Sequence, residues 1–294
     1  MSRARPPPGG GSPIDRLVAA RDRVVPLLPR RPVAGLPGGM RSSRRGQGVD
    51  LAGSRPYRPG DDVRLIDRHA SARRPAWGGD ELVVREHLTE QAARVGIVLD
   101  RGPTMSLFPP GLPWLSKPAA VAEACGLLGE SAAALRSTVE IVHADPSAGS
   151  RDRLAGAVRA LLERRRGLDG SFLFVVSDFL EALPESAFAA ALAGRVDLVP
   201  VVVQDPTWEQ SFPAVGGTLL PLADPATGRP RHMVLSRAEA EERRAANAKR
   251  LVAIRRRLSS LGLDLVLLSD HRPAAVRAAF AAWAEGRRAR GRLR

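Results

Sequence analysis

Cysteine occurs once in the 294 residues, at Cys125. No disulfide can form within the chain, and a cysteine-built metal cluster is excluded. Cys125 falls at helical spacing among Val121, Leu127 and Leu128, the place of a packing thiol rather than a nucleophile. Aromatic residues make up 4% of the chain, so core volume must come from Leu, Val and Ala. Lysine is almost missing: Lys117 and Lys249 are the two, and 43 of the 45 basic residues are arginine. With 28 Gly and 25 Pro, this composition reads as a high-GC bacterial genome, and part of the arginine preference is a codon effect. No run of about 18 apolar residues occurs, so no membrane-spanning helix is expected. The stretch Met1–Gly11 has no apolar signal core, and a cytoplasmic location is expected.

Other absences narrow the chemistry. There is no Gly-x-x-x-x-Gly-Lys loop for nucleotide phosphates and no Gly-x-Ser-x-Gly nucleophile turn. His69, His87, His143, His232 and His271 show no metal-ligand spacing. The net charge is +14, unevenly spread. Residues 1–75 hold 16 basic against 6 acidic groups, residues 237–294 hold 15 against 6, and the middle holds 14 against 19. An acidic centre between basic ends argues against one continuous nucleic-acid face. Stacking aromatics near those ends are few, Tyr57 and Trp283. The tail Arg287–Arg294 is expected to be disordered and solvated, with contact to phosphates or acidic lipids as the alternative.

Apolar periodicity supplies the architecture. Val95–Asp100 and Ser171–Asp178 are short apolar runs that end in a carboxylate, the pattern of buried strands. Thr138–His143, Val196–Val203 and Leu263–Ser269 are further strands, with Pro200 suggesting an edge or a bulge. Helices are expected over 117–136, 151–165, 184–193, 236–261 and 273–285, and over 14–29 near the start. Residues 30–48 read as loop, Glu81–Glu86 as a strand, and 215–235 as a hairpin. Strands alternating with helices predict an α/β fold with a doubly wound, mostly parallel sheet from about residue 93 onward.

In such a sheet, ligands bind beyond the carboxyl ends of the strands, at the switch point. Asp100 and Asp178 both lie there, with hydroxyls nearby at Thr104, Ser106 and Ser177. These are hard oxygen donors suited to Mg²⁺; the alternative is that the carboxylates organise the strand-end loops as hydrogen-bond acceptors. Upstream, Arg55, Tyr57, Gly60, Asp61, Asp62, Arg64, Asp67 and Arg73 crowd into fewer than twenty residues. They are read as an ion-pair lattice that locks an insertion, or as a surface for a partner. Pro59-Gly60-Asp61 marks a turn in either case.

Asp100-x-Gly102-x-Thr104 resembles the metal-ion-dependent adhesion motif of von Willebrand factor A domains, and Ser177-Asp178 resembles a later turn of that fold. The segment Arg55–Arg74 is similar to the signature of the bacterial domain-of-unknown-function 58 family, matching at Arg55, Tyr57, Gly60, Asp61, Asp62, Arg64, Ile66, Asp67, Ala72 and Arg73. The chain departs at Arg68, where that family has Trp, and at Gly102, where the metal motif has serine.

The resemblance implies a von Willebrand factor A-like domain over 93–286 with an N-terminal β-containing insertion. It divides the chain into a flexible or partly helical tail (1–39), the signature segment packed on the core (40–92), that domain, and a basic disordered tail (287–294). It also implies a non-enzymatic adaptor working with a MoxR-type AAA+ ATPase. Its degenerate metal site would be built from Asp100, Thr104 and Asp178, with Mg²⁺ weakly held or absent. A competing likeness is to haloacid-dehalogenase phosphatases, with Asp100 as nucleophile, but Gly102 stands where their acid/base aspartate belongs.

Overall fold

The expected strands at 95–99 and 172–176 are apolar along their whole length, which is what a strand covered on both faces requires. A computed structural model describes residues 24–29, 36–72, 82–92, 94–107, 113–164, 171–181, 183–223 and 229–292. The strand β1 (Leu36–Pro56) pairs antiparallel with β2 (Val83–Ala92), and a short helix α1 (Arg68–Ala72) lies between them in sequence. Then follow β3 (Arg94–Leu99), α2 (Lys117–Ala134), β4 (Thr138–His143), α3 (Ser150–Arg164), β5 (Phe172–Ser177), α4 (Glu185–Ala193) and β6 (Asp197–Val203). The chain continues through β7 (Thr218–Ala223), β8 (Pro230–Leu235), α5 (Arg237–Ser260), β9 (Val266–Leu268) and α6 (Pro273–Arg292).

Five strands form a parallel sheet in the order β4-β3-β5-β6-β9. Alternate residues sort to opposite faces, as the strand period demands. Val95, Ile97, Phe172, Phe174 and Val201 pack with α2 and α6, whereas Val98, Leu173, Val175 and Val202 pack with α3, α4 and α5. Helices on both faces make this a doubly wound α/β fold. The chain runs from β3 outward to β4, then returns to the other side of β3 to lay down β5. The switch point therefore lies between β3 and β5, the two strands followed by Asp100 and Asp178.

Several local expectations need correction. Pro200 lies in an interior strand, not an edge. The Asp197 amide donates to the Ser171 carbonyl (2.8 Å) and the Gln204 amide to the Leu268 carbonyl (3.1 Å), so even-numbered amides of β6 face β9. Pro200 turns its missing N–H that way, one residue before the β9 ladder begins at Val201. Residues 30–48 were expected as loop, but β1 starts at Leu36 and pairs with β2 through four register shifts, which erase the alternation that marks a strand. Residues 24–29 are not helical; the remainder of the helix expected over 14–29 lies outside the described residues. Val25 and Leu27 are nonetheless buried against α2 and α6, and the Val25 amide donates to Ser131 Oγ at 3.0 Å.

The basic tail expected to be disordered from Arg287 is helical through Arg292. Arg287 is buried: Nη1 and Nη2 donate to the Asp197 carboxylate at 2.7 and 2.9 Å, Nε to Asp264 at 3.2 Å, and Nη1 also to the Leu28 carbonyl at 3.0 Å. Its guanidinium lies over the Trp283 ring, 4.4 Å from the centroid. One side chain thus ties α6 to β6 and to the chain near Leu28. Trp283 is itself buried, so it offers no stacking surface to nucleic acid. Among the described residues, no helix is long and apolar enough to cross a membrane.

Arg287→Ala removes a buried bidentate ion pair from the Asp197 carboxylate. Unfolding free energy is expected to fall by about 3–5 kcal/mol, measured by urea denaturation.

Candidate functional site at the sheet crest

Asp100 ends β3 and is held on all sides. Its Oδ1 accepts from the Gly102 amide (2.8 Å) and from Arg153 Nε (2.9 Å), and its Oδ2 from Ser177 Oγ (2.7 Å). Arg153 comes from the first turns of α3 and reaches Glu181 as well, at 3.3 Å. Asp178, after β5, accepts from Lys117 Nζ at 2.8 Å and from the Leu180 amide at 3.2 Å. Lys117 is fully buried and donates also to Glu209 at 2.5 Å, while the second oxygen of Glu209 accepts the Asp205 amide at 2.8 Å. Thr104 lies buried in the 3-10 turn Pro103–Ser106 that follows Asp100. The structure thus brings Asp100 and Asp178 to one crest, joined through Ser177, as the sequence anticipates.

The chain's own cations take the place expected for a metal. Mg²⁺ demands near-octahedral oxygen ligands at about 2.0–2.1 Å. Here every carboxylate oxygen of Asp100 and Asp178 already accepts from a donor, and a guanidinium and an ammonium neutralise them. The glycine at 102 has a steric reason. A Cβ there would sit 2.4 Å from Arg153 Nη2 and 3.0 Å from its Cζ, so a serine would collide with the guanidinium. The glycine leaves the space that the Arg153 guanidinium occupies. Among the described residues, no group of three or more His, Cys, Asp or Glu is placed to hold a metal ion. The residues present do not fit Mg²⁺.

Burial works against the charge of Lys117, but Asp178 and Glu209 outweigh it and hold its pKa above the ordinary value. Burial pushes Glu209 up, with Lys117 opposing. The ammonium stays charged, since losing it would leave two buried carboxylates bare. Phe179 adopts a left-handed backbone (φ 49°), with its ring buried edge-on to Phe188, which seats the turn carrying Asp178. Gln204 closes the crest by donating to the Asp178 carbonyl at 2.6 Å.

Lys117, Arg153 and Glu209 were not among the sequence candidates. Lys117 carried a signal: it opens a helix, where the macrodipole disfavours a cation. Arg153 carried another, since it sits one and two turns before Ala157 and Leu161 on the buried stripe of α3. Glu209 lies in an irregular loop and had none. Cys125 packs against the core as expected, and burial pushes its thiol up to about 11.

The signature segment closes mainly on itself. Arg55 forms a bidentate pair with Asp61 (2.6 and 2.7 Å), and the Arg58 amide adds a third donor to Asp61 at 2.7 Å. Gly60, at φ 101°, makes the expected turn. Asp62 caps a 3-10 turn by accepting from the Arg64 amide, and the Arg64 side chain is exposed. Asp67 accepts from Arg85 Nε at 2.8 Å, a partner on β2 that was not anticipated. Tyr57 is half-buried, and its amide donates to the Leu82 carbonyl at 2.7 Å. Arg73 lies outside the described residues. Two ion pairs are thus present in and beside this segment, Arg55–Asp61 and Asp67–Arg85.

The family described as "Protein of unknown function DUF58" matches residues 128–253. That span contains Arg153, Asp178 and Glu209, whereas the signature segment, Asp100 and Lys117 lie before it. The match supports the resemblance to that family. No curated protein matches the chain. Among solved structures, the conserved hypothetical protein BatB from Bacteroides thetaiotaomicron matches at 15% identity over 66% of this chain and 100% of its own, with a TM-score of 0.37. A likeness that slight adds nothing to the fold described above.

Lys117→Met leaves Asp178 and Glu209 buried without a cation and is expected to lower stability by about 3–5 kcal/mol in urea denaturation. The Arg55 hydrogen bonds, and then the Arg58 amide, hold the Asp61 carboxyl at about 2, below its ordinary 3.8. A depressed carboxylate stabilises above its unfolded value, so this contribution is full above about pH 4 and is lost as pH falls through about 2. NMR of the Asp61 carboxyl carbon will show a midpoint near 2, and Asp61→Asn will abolish that titration step.

Proposed function

We propose that this chain is a non-enzymatic protein-docking module of von Willebrand factor A-like design, working in the cytoplasm with a MoxR-type AAA+ ATPase, and that it docks without a metal. The observation that carries this is the pairing of both switch-point carboxylates with internal cations, Asp178 with Lys117 and Asp100 with Arg153. A metal-dependent adhesion site works by leaving a coordination position for a carboxylate of the ligand. Here the equivalent charge is closed off, and the crest serves as a rigid platform.

The same pairing speaks against phosphohydrolysis. Asp100 is 8% exposed and both its oxygens are committed, so it is not presented as a nucleophile. At position 102 no side chain is available to protonate a leaving group. The family resemblance supplies the partner class. The exposed apolar side chains Val63 and Leu82 give the signature segment a surface compatible with docking.

Two measurements on the full chain test the proposal. Calorimetry with Mg²⁺ is expected to give no saturable binding. Capture of a MoxR-type ATPase is expected to persist in EDTA. Capture that requires Mg²⁺, or Mg²⁺-dependent hydrolysis of an aryl phosphate that Asp100→Asn abolishes, would overturn it.

A further inference from the structure

The parallel sheet ends at β4, and the outer edge of that strand meets no other strand among the described residues. The ladder fixes which backbone groups face outward. The Ala144 amide donates to the Leu99 carbonyl at 2.8 Å. At the two-residue period of a strand, Thr138, Glu140 and Val142 likewise turn their N–H and C=O groups toward β3. Val139, Ile141 and His143 therefore turn theirs away from the sheet. The side chains of Val139 and Ile141 share a face with their ladder partners Val95 and Ile97, which are buried. Val139 and Ile141 are instead 37% and 45% exposed.

Folds ordinarily blunt such an edge with a lysine, a proline, a bulge or a very short strand. β4 uses none of these. It runs Thr138-Val-Glu-Ile-Val-His143 and pairs with β3 without a register shift. Its one carboxylate, Glu140, has Arg164 beside it at 3.8 Å. A row of outward backbone donors and acceptors is completed by another backbone row, so the occupant is an extended strand.

The pattern of β4 itself says which strand. When two copies pair antiparallel about a two-fold axis, outward-facing residues must meet outward-facing residues. A register centred on Ile141 does this. Ile141 faces Ile141 of the second copy, Val139 faces His143, and Glu140 faces Val142, so no like charges are directly opposed. Centring one residue earlier would set Glu140 against Glu140, and one residue later would shorten the ladder. The antiparallel direction also carries Arg136, just before one strand, toward Asp145, just after the other, and both are exposed. Arg94 and Arg101 stand one strand back, at the two ends of β3.

We infer that the β4 edge is a homodimer interface, in which two copies of the chain pair antiparallel through β4 about a two-fold axis at Ile141. Two parallel sheets then become one continuous sheet. Because the paired strands run in opposite directions, the two crests face opposite ways, and each dimer presents a crest on either side. Each copy carries +14, so long-range repulsion opposes pairing. Salt, which screens charges beyond about 10 Å at about 0.1 M, favours it.

Sedimentation equilibrium of the full chain over a concentration series tests this. The wild type is expected to show a monomer–dimer equilibrium that tightens as salt rises. Ile141→Lys opposes two ammonium groups at the axis and is expected to weaken dimerisation by about tenfold or more. Its circular dichroism is expected to match the wild type, because the side chain is already exposed. Ile141→Cys gives a second reading that does not depend on that variant. Hydrogen-bonded residues opposed in an antiparallel pair lie about 5.5 Å apart at Cα, within disulfide reach, so mild oxidation is expected to join 141 to 141. A wild type that stays monomeric at every concentration and salt would overturn the inference. So would a dimer that Ile141→Lys leaves intact, a dimer that salt weakens, or an oxidised Ile141→Cys dimer without the 141–141 bond. Amides of Val139, Ile141 and His143 that gain hydrogen-exchange protection only when a different protein is added would assign the edge to that protein, and would overturn it too.

Discussion

Everything at the crest depends on how two buried carboxylates at the switch point are neutralised. A carboxylate excluded from water must find a counter-charge or give up its own. Asp100 and Asp178 find theirs inside the chain, from α3 and from the start of α2. Gly102 leaves room for the Arg153 guanidinium where it stands, since a Cβ there would lie 2.4 Å from Nη2 and oblige it to shift. A motif that looks degenerate as a metal site is coherent as an ion-pair site.

That pairing sets the arrangement of the loops around it. Glu209 shares Lys117 with Asp178, so the loop after β6 is fixed to β5 through one ammonium. Asp205 in the same loop accepts the Leu115 amide at 2.7 Å and, through its other oxygen, the Thr207 and Trp208 amides, fixing the approach to α2. Trp208 carries the order outward to the antiparallel pair β7–β8. At the opposite end of the sheet, Arg287 does for Asp197 what Lys117 does for Asp178. Lys117 and Arg287 thus stand as buried cations at opposite ends of the strands.

Most of the α/β core is legible in the sequence because its strands are apolar on both faces and its helices repeat near 3.6 residues. Val95–Leu99 and Phe172–Ser177 could be little else. The failures have physical causes. β1 was hidden because its pairing shifts register four times and uses glycine, arginine and serine rather than alternation. Pro200 misled because a proline forbids an interior strand only where its missing N–H would face a ladder, and here it does not. The arginine-rich end looked solvated because composition does not reveal that Arg287 meets Asp197, 90 residues away in sequence. Asp100 and Asp178 follow the two strands that flank the switch point, with Thr104 in the turn after Asp100, but their partners were not legible. Lys117 and Arg153 become visible as anomalies only once the helix start and the buried stripe are drawn, and Glu209 depends on a loop path that no local pattern encodes.

The central claim is that Lys117 and Arg153 are the resident cations of this crest. The most direct measurement is anomalous diffraction from crystals of the full chain soaked in Mn²⁺, a Mg²⁺ substitute with usable anomalous signal. The account predicts no anomalous peak between Asp100 and Asp178, with Lys117 Nζ against Asp178 and Glu209 and the Arg153 guanidinium against Asp100. A Mn²⁺ peak bound to Asp100 or Asp178, with either cation swung away, would contradict it.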